Sequence, residues 1–436
     1  MTVFRKIVAV LLSAATVMCS GCSGSTNGGV NSTASEKISS TVSEAAFSLP
    51  QNVSQPERSN EVTYLGSKDI SGISELYSKQ SGGAVKIEKA GGSDYISVLS
   101  AKISADDSPD LCDKVDNTFP YLMSMNLYED LTNYIDTTSP QWLELTDVIE
   151  RYSFKGGRYF YPTTVTVMPQ FLIYVKTKYI QYGNLPDPEK QWLKNEWTWD
   201  EFLQGAAGIL NSEFGREYVL ISGSEVFDNF LVSSGKPLFS YNGSRFVSGL
   251  PTENANRVFD FLSLYETKYE NVINANDEIG VAVFLSGDES TLAELRKTDL
   301  TVGAVPYPRD ANADKYYCKA VAEGFLVPKG AKNIQSAASF INSSRIADAS
   351  EEQQEKKDKK LIELGLLRSD VEWLNSMRSS EMMTPILVDS NCLDDPANKA
   401  AYNVLTYRGE SSWFDVLAEN MPAIDSAIDN INAIIE

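Results

Sequence analysis

The 436-residue chain contains no histidine and only five cysteines. Without an imidazole there is no Ser-His-Asp or Cys-His nucleophile system, no HExxH zinc site and no histidine-rich metal trap. Beyond Cys19 and Cys22 stand Cys112, Cys318 and Cys392. That odd set permits one intramolecular disulfide at most, so a disulfide-stapled scaffold is excluded and buried free thiols are expected. Cations are also short: 38 Lys and Arg face 59 Asp and Glu, a net charge of −21. A surface that acidic repels nucleic acid and anionic headgroups, which argues against both as partners; solubility beside a membrane is enough to account for it. Long apolar runs are missing too. The best, IVAVLLSAATVM at 7–18, has about a dozen residues where a hydrocarbon core needs roughly 20.

What that short run does have is a setting. Arg5 and Lys6 precede it, a small-residue exit follows it, and then comes SGSTNGGVNSTAS. A positive start, a short apolar middle and a small-residue end read as a secretory signal. Its removal would take the net charge to −23, because Arg5 and Lys6 leave with it. Ser20-Gly21-Cys22 resembles the lipobox of bacterial lipoproteins, with Cys19 where that motif usually has Leu. The resemblance implies a signal peptide over 1–21, acylation of Cys22, and a mature chain anchored by acyl chains to the extracytoplasmic face of the cell membrane. Residues 22–60, rich in Ser, Gly, Asn, Thr and Gln, would form a flexible tether, since they bury too little apolar surface to order themselves.

The remaining stretch exceeds what one core usually serves, so two domains are expected. A hydrophobic fraction of 42% and six Trp mark it as globular. From residue 62 the pattern alternates. Strands at 62–66, 84–88 and 110–113 are separated by helical spacing at 69–80 and 95–105, then a helix at 121–126. That is the signature of βαβ units and a parallel sheet. The strands end in Gly66-Ser67, Gly91-Gly92-Ser93-Asp94 and Asp116-Asn117, three loops that share one rim at the carboxyl ends. The middle is mostly helical, at 199–210, 225–234, 252–270 and 290–297. Strand-like segments return at 280–285, 301–305 and 324–327. Amphipathic helices follow at 334–343 and 413–435, with the solvated charge run EEQQEKKDKK at 351–360 between them. A chain that leaves one lobe for another and returns makes two lobes, more than one crossover, and a cleft between them.

At Trp197-Thr-Trp-Asp-Glu-Phe202 the chain resembles the extracellular solute-binding proteins of ABC importers, in the group that includes many sugar binders. Ser108-Pro-Asp-Leu111, Leu127-Tyr-Glu-Asp-Leu131, Phe154-Lys-Gly-Gly-Arg-Tyr-Phe-Tyr-Pro162, Val302-Gly-Ala-Val-Pro-Tyr-Pro308 and Glu323-Gly-Phe-Leu-Val-Pro-Lys-Gly330 match that group's motifs in order. The resemblance implies an α/β, two-lobed, Venus-flytrap fold with several hinge crossovers. Lobe 1 would span 61–165 with return segments around 300–345. Lobe 2 would span 166–299, and a C-terminal helical region over 346–436 would pack on both. Locally WTWDEF needs no ligand: Thr198 can cap a helix with Glu201 three residues on, while Trp199 and Phe202 face inward.

The implied function is capture of a small solute, a sugar or oligosaccharide, and its delivery to importer permease subunits. The protein would act as a monomer with no cofactor, no metal and no catalytic residue. Rim candidates are Ser67, Asp94, Asp116 and Asn117, each of which also reads as a cap or turn residue. Tyr161 and Thr163 precede a lobe change. Glu323 and Phe325 flank Gly324 where the group often has Gly-Gly-aromatic, and here Ala322-Glu323 replaces the first glycines. Asp288 lies in Gly287-Asp288-Glu289, which lacks the Trp that the group's loop carries, and Tyr174-Val-Lys176 departs from its usual Tyr-Asn. Trp413 is a further aromatic with cleft and core readings both open. A surface carbohydrate-active enzyme using paired carboxylates, and a sensor of the same fold, are the alternatives. If Cys22 carries the anchor, Cys22→Ser should move the protein from the membrane fraction to the medium, as an immunoblot of both reads; retention on the membrane would contradict it.

Overall fold

The computed structural model describes residues 61–435 except 116–117, 178–179, 181–185, 211–223, 242–243, 269–283, 390–391 and 407–412. Cys22 and the tether therefore lie outside the described residues. Strands β1 (Glu61–Gly66), β2 (Ala84–Lys89) and β3 (Leu111–Asp113) are joined by the helices Ser71–Ser81 and Tyr95–Ser104. β1 pairs in parallel with β2 on one side and β3 on the other, as two right-spaced βαβ units require. Val62, Tyr64 and Leu65 are buried because helices cover both faces of this sheet.

A small hairpin, β4 (Ser153–Phe154) with β5 (Gly157–Arg158), leads into β6 (Tyr161–Val167). Only Met168, Pro169 and Gln170 separate β6 from β7 (Phe171–Val175). β7 is already the centre of a second sheet. A further hairpin, β8 (Phe239–Tyr241) with β9 (Phe246–Ser248), lies between it and β10 (Phe284–Gly287). β10 and then β11 (Val302–Val305) flank β7, both antiparallel. The chain returns through β12 (Tyr316–Leu326) and visits the first sheet once more as β13 (Met383–Leu387).

β12 organises the join. Residues 320–325 pair antiparallel with β6 along one edge. Ala320 is flanked by Val167 and Leu387, and Phe325 by Tyr161 and Asp113, so β13 and β3 share the opposite edge end to end. β13 runs parallel to β12 and β3 antiparallel, so their carboxyl ends converge on the middle of the long strand.

Each sheet has its own aromatic cluster within a continuous buried core. In the first lobe Phe325 meets Tyr64 and Phe340 edge-on, and Tyr161 meets Trp142, whose indole donates to the Asn342 side chain at 2.7 Å. In the second, Trp197, Trp199, Phe202, Phe230, Phe261 and Phe284 form one aromatic cluster. The Thr198 hydroxyl accepts from the Glu201 N–H at 3.4 Å, the expected cap of helix Trp199–Leu210, while the Glu201 carboxylate accepts from Gln191. Trp197 does more than pack. Its indole donates to the Pro306 carbonyl, its own carbonyl accepts from Arg309, and Trp199 N–H donates back to Arg309. That short ladder pins the 306–309 crossover to the second lobe.

Three features differ from the expected pattern. The strand read at 324–327 is the last part of an 11-residue strand. The region 346–436 holds β13 as well as helices, because the Met383–Leu387 stretch completes the edge of β12. β6 and β7 form a nearly continuous extended path between lobes. The charge run behaves as expected: helix Glu351–Leu364 has no buried residue. Cys112, Cys318 and Cys392 are buried and free, and burial pushes the Cys318 thiol up to about 12, so it stays protonated. Phe202 is fully buried among four aromatic rings. Phe202→Ala should therefore cost about 3–5 kcal/mol in urea unfolding; a loss below about 1 kcal/mol would show that this cluster does not hold the lobe.

Candidate functional site: the interlobe cleft

The first lobe's rim is built around Asp113, the last residue of β3. One carboxylate oxygen accepts from the Tyr64 hydroxyl at 2.6 Å, and the other from the Ser67 N–H at 2.9 Å. Lys68 N–H donates to the same tyrosine oxygen at 3.2 Å. The loop after β1 is thus fixed to the end of β3, and Lys68 projects beyond it. Its ammonium lies 3.5 Å from Glu323 and 5.8 Å from the centroid of the Phe325 ring. Both charged side chains are substantially exposed, so this pair adds little stability. It does fix where charge sits on the rim.

β12 continues past the rim toward the second lobe. By strand alternation Lys319, Val321 and Glu323 share one face, beside Thr164 and Thr166 of β6 and Ile386 of β13. Lys319 reaches Asp228 on helix Ser224–Ser233 at 2.6 Å, with both side chains mostly buried. That helix belongs to the second lobe: Phe230 sits in its aromatic cluster, and Asn229 donates to Gln170 of the first crossover at 3.0 Å.

A second buried pair lies where β3 and β13 end. Lys114 follows β3 and Asp389 follows β13, so the converging strand ends bring them together at 3.1 Å. Their side chains are 8% and 2% exposed. Tyr152 donates to the same aspartate oxygen at 3.1 Å, and the ammonium of Lys114 lies 5.8 Å from the centroids of the Tyr152 and Phe160 rings. Burial, and then the neighbouring Asp389 charge, push the Tyr152 phenol well above its ordinary range, which keeps it a donor.

The first crossover is held by its backbone. Met168 N–H donates to the Lys319 carbonyl at 2.7 Å, and the Met168 carbonyl accepts from Arg378 at 3.2 Å. Met168 has φ of +51°, a left-handed conformation that costs a non-glycine residue about 1 kcal/mol. Arg378 also pairs with Glu289, so the 287–289 loop is tied to the same crossover.

The sequence candidates divide sharply. Ser67, Asp94 and Glu323 are exposed at or beside the rim. Asp116 and Asn117 lie outside the described residues. Tyr161, Thr163 and Phe325 are 0%, 3% and 3% exposed and sit inside the first lobe, not on its rim. Tyr161 points its hydroxyl to the Leu131 carbonyl at 3.4 Å, and the Thr163 carbonyl accepts from Arg345. Phe325 is the register partner of Tyr161, and the register shift between Glu323 and Gly324 turns it off the Glu323 face into the layer that also holds Phe340. Asp288 caps helix Glu289–Arg296, accepting from Thr291 N–H at 2.9 Å. Trp413 is buried, stacked on Phe259 and Phe227, and starts the long helix Trp413–Ile435. Gly324 has its own reason to lack a side chain, since a Cβ there would lie 2.6 Å from the Tyr161 carbonyl. Sequence reasoning passed over Lys68, Lys114, Lys319, Asp228 and Asp389. Lys68 and Lys114 sit where rim logic points, directly after strands; the two aspartates reach the site only through tertiary packing.

Among the described residues no group of three or more Cys, Asp or Glu is placed to hold a metal ion, and no helix is long and apolar enough to cross a membrane. The geometry offers paired charges, hydroxyls and a hinge.

Residues 73–360 match the family model described as bacterial extracellular solute-binding protein. No curated protein matches the chain. Among solved structures, the chain is similar to an ABC substrate-binding protein from Listeria monocytogenes in complex with cycloalternan, at 16% identity and a TM-score of 0.57. That match covers 86% of this chain and 98% of the other. The GacH receptor of Streptomyces glaucescens, solved unliganded and with acarbose, gives 16% identity and 0.59 over 86% and 100%. The sugar-binding protein MalE from Xanthomonas citri gives 16% and 0.57 over 86% and 97%. At these identities the likeness is one of fold.

Proposed function

Since the chain belongs to the bacterial extracellular solute-binding proteins, we propose that the solute it captures for an ABC importer is a sugar or oligosaccharide. The observation that carries this reading is the pairing of two sheets, one around β12 and one around β7, with three crossovers, at 168–170, 306–315 and after β13. Hinge closure of such a body around a ligand hides it from water, and only contacts made in the closed form drive closure. The sugar class is supported by the cycloalternan and acarbose bound to the Listeria and Streptomyces proteins and by a cleft of hydroxyls and paired charges. Ser67, Asp94 and Glu323, with Asp116 and Asn117 of the same rim, are the first-lobe contacts in this reading. The permease subunits of an importer receive the solute, and acylated Cys22 keeps the monomeric binder at the membrane. The solute leaves unaltered, with no cofactor involved.

Thermal-shift screening against mono- and oligosaccharides, polyols and peptides tests this. A ligand at 100 times its Kd stabilises the native state by about 2.7 kcal/mol, which raises Tm by several degrees at this chain length. A saccharide that raises Tm and is recovered intact by chromatography is the expected result. Hydrolysed saccharide would replace the binder by an enzyme, and a shift with peptides alone would remove the sugar class.

A further inference from the structure

Another connection between the lobes runs outside both sheets. Helix Ile334–Asp348 carries Phe340 into the first lobe, and helix Arg368–Arg378 is fastened to the second. There the Trp373 indole donates to the Ala304 carbonyl of β11 at 2.7 Å, and Asp370 takes Arg296 through both carboxylate oxygens at 2.9 and 2.5 Å. Between these anchors stands helix Glu351–Leu364, 14 residues and so about 21 Å long. Its first turn rests on the first lobe, where a Cβ on Gly72 would stand 3.7 Å from the Gln353 amide nitrogen. Its far end reaches the second. Asp358 accepts from Asn375 at 3.3 Å, and a Cβ on Gly365 would stand 3.6 Å from the Ala293 carbonyl of helix Glu289–Arg296.

This bridge buries no residue, and only Gln353, Asp358 and Leu361 are partly covered. A helix that is polar all round is held by its own side-chain pairs rather than by packing. Glu352 pairs with Lys356 at 2.8 Å and Lys359 with Glu363 at 3.7 Å, all four side chains being more than half exposed. Gln354 donates to Asp358 at 2.9 Å, and the Ser350 hydroxyl caps the first turn. Charges of the first lobe add to this: Lys79 attracts Glu352, Glu75 attracts Lys356 and Asp69 attracts Lys360. Fourteen residues are marginal as a helix on these terms. Exposed pairs are also open to screening, since the Debye length falls from about 10 Å at 0.1 M salt to about 3 Å at 1 M. The mostly buried pairs Lys319–Asp228 and Lys114–Asp389 are screened far less.

We propose that helix Glu351–Leu364 is a salt-sensitive strut between the lobes. At low ionic strength it is a rod that holds their outer faces at one spacing, as a helical spacer does. At high ionic strength its charge pairs weaken, it frays, and the lobes sample a wider range of spacings. The device needs no solute, so it stands apart from the sugar reading.

Two readouts on the unliganded full chain test it, at about 20 and about 500 mM NaCl. Hydrogen exchange of the amides in 351–364 should accelerate about threefold or more at the higher salt, while the buried helix Ile334–Asp348 stays unchanged as the internal reference. Electron–electron resonance between labels at positions 89 and 194, exposed in the first and second lobes, should show a broader distance distribution at the higher salt. A variant without either pair, combining E352Q, K356Q, K359Q and E363Q, touches no buried residue; circular dichroism checks its fold. It should exchange rapidly and give the broad distribution at both salt concentrations. Exchange in 351–364 that ignores salt overturns the proposal. So does faster exchange with an unchanged distance distribution, since the helix then bears on neither lobe. A salt response that persists in the folded variant overturns it too, by placing the sensitivity in other charges.

Discussion

The arrangement depends on one strand serving two masters. β12 is paired along one edge by β6, and along the other by β3 and β13 placed end to end. Because β3 belongs to the parallel sheet and β13 arrives after the chain has visited the second lobe, this strand must keep its pairing on both edges, with its one register shift against β6 at Glu323/Gly324, for the halves to share a boundary. A register slip of one residue would turn Lys319 and Glu323 inward and expose Ala320 and Ala322. Backbone pairing thus fixes which side chains the boundary presents.

Charge placement follows from that geometry. Lys114 and Asp389 are the residues just beyond two converging strand ends, so their pairing is a consequence of where β3 and β13 stop. A buried ion pair contributes little net stability, since desolvation consumes most of the Coulombic gain, but breaking it by removing one partner leaves a costly lone charge. Such pairs act as locators more than as glue. Lys319 with Asp228 does the same between β12 and the second lobe's helix. Stability comes instead from the aromatic clusters of the two sheets, with Phe119 of the first lobe also meeting Tyr241 and Phe246 of the β8–β9 hairpin. Separate sheets joined by short backbone crossovers are the physical basis for hinge motion.

Much of the architecture was legible in the sequence because it rests on local periodicity. The helices Trp199–Leu210 and Trp413–Ile435 and the βαβ units around β1 to β3 follow from spacing and turn chemistry alone. β13 was not legible: Met-Thr-Pro-Ile-Leu carries a proline and five residues, too little to announce a strand whose partner lies more than sixty positions away. The site was read less well than the fold. Rim logic pointed to Ser67 and Asp94, which the structure leaves exposed, yet aromatic character drew attention to Tyr161, Phe325 and Trp413, which the structure buries. An aromatic on a strand near a ligand site faces either layer, and only the register decides. Asp228 and Asp389 were invisible because each meets its lysine across an interval of chain that no local pattern spans.

The central claim is that the two lobes move as bodies about the crossovers when a solute enters. Double electron–electron resonance between spin labels at positions 89 and 297, both exposed and in different lobes, reads this directly. With a saccharide shown by calorimetry to be bound, the distance distribution should shift to a shorter and narrower peak. The same distribution with and without bound saccharide would contradict the account.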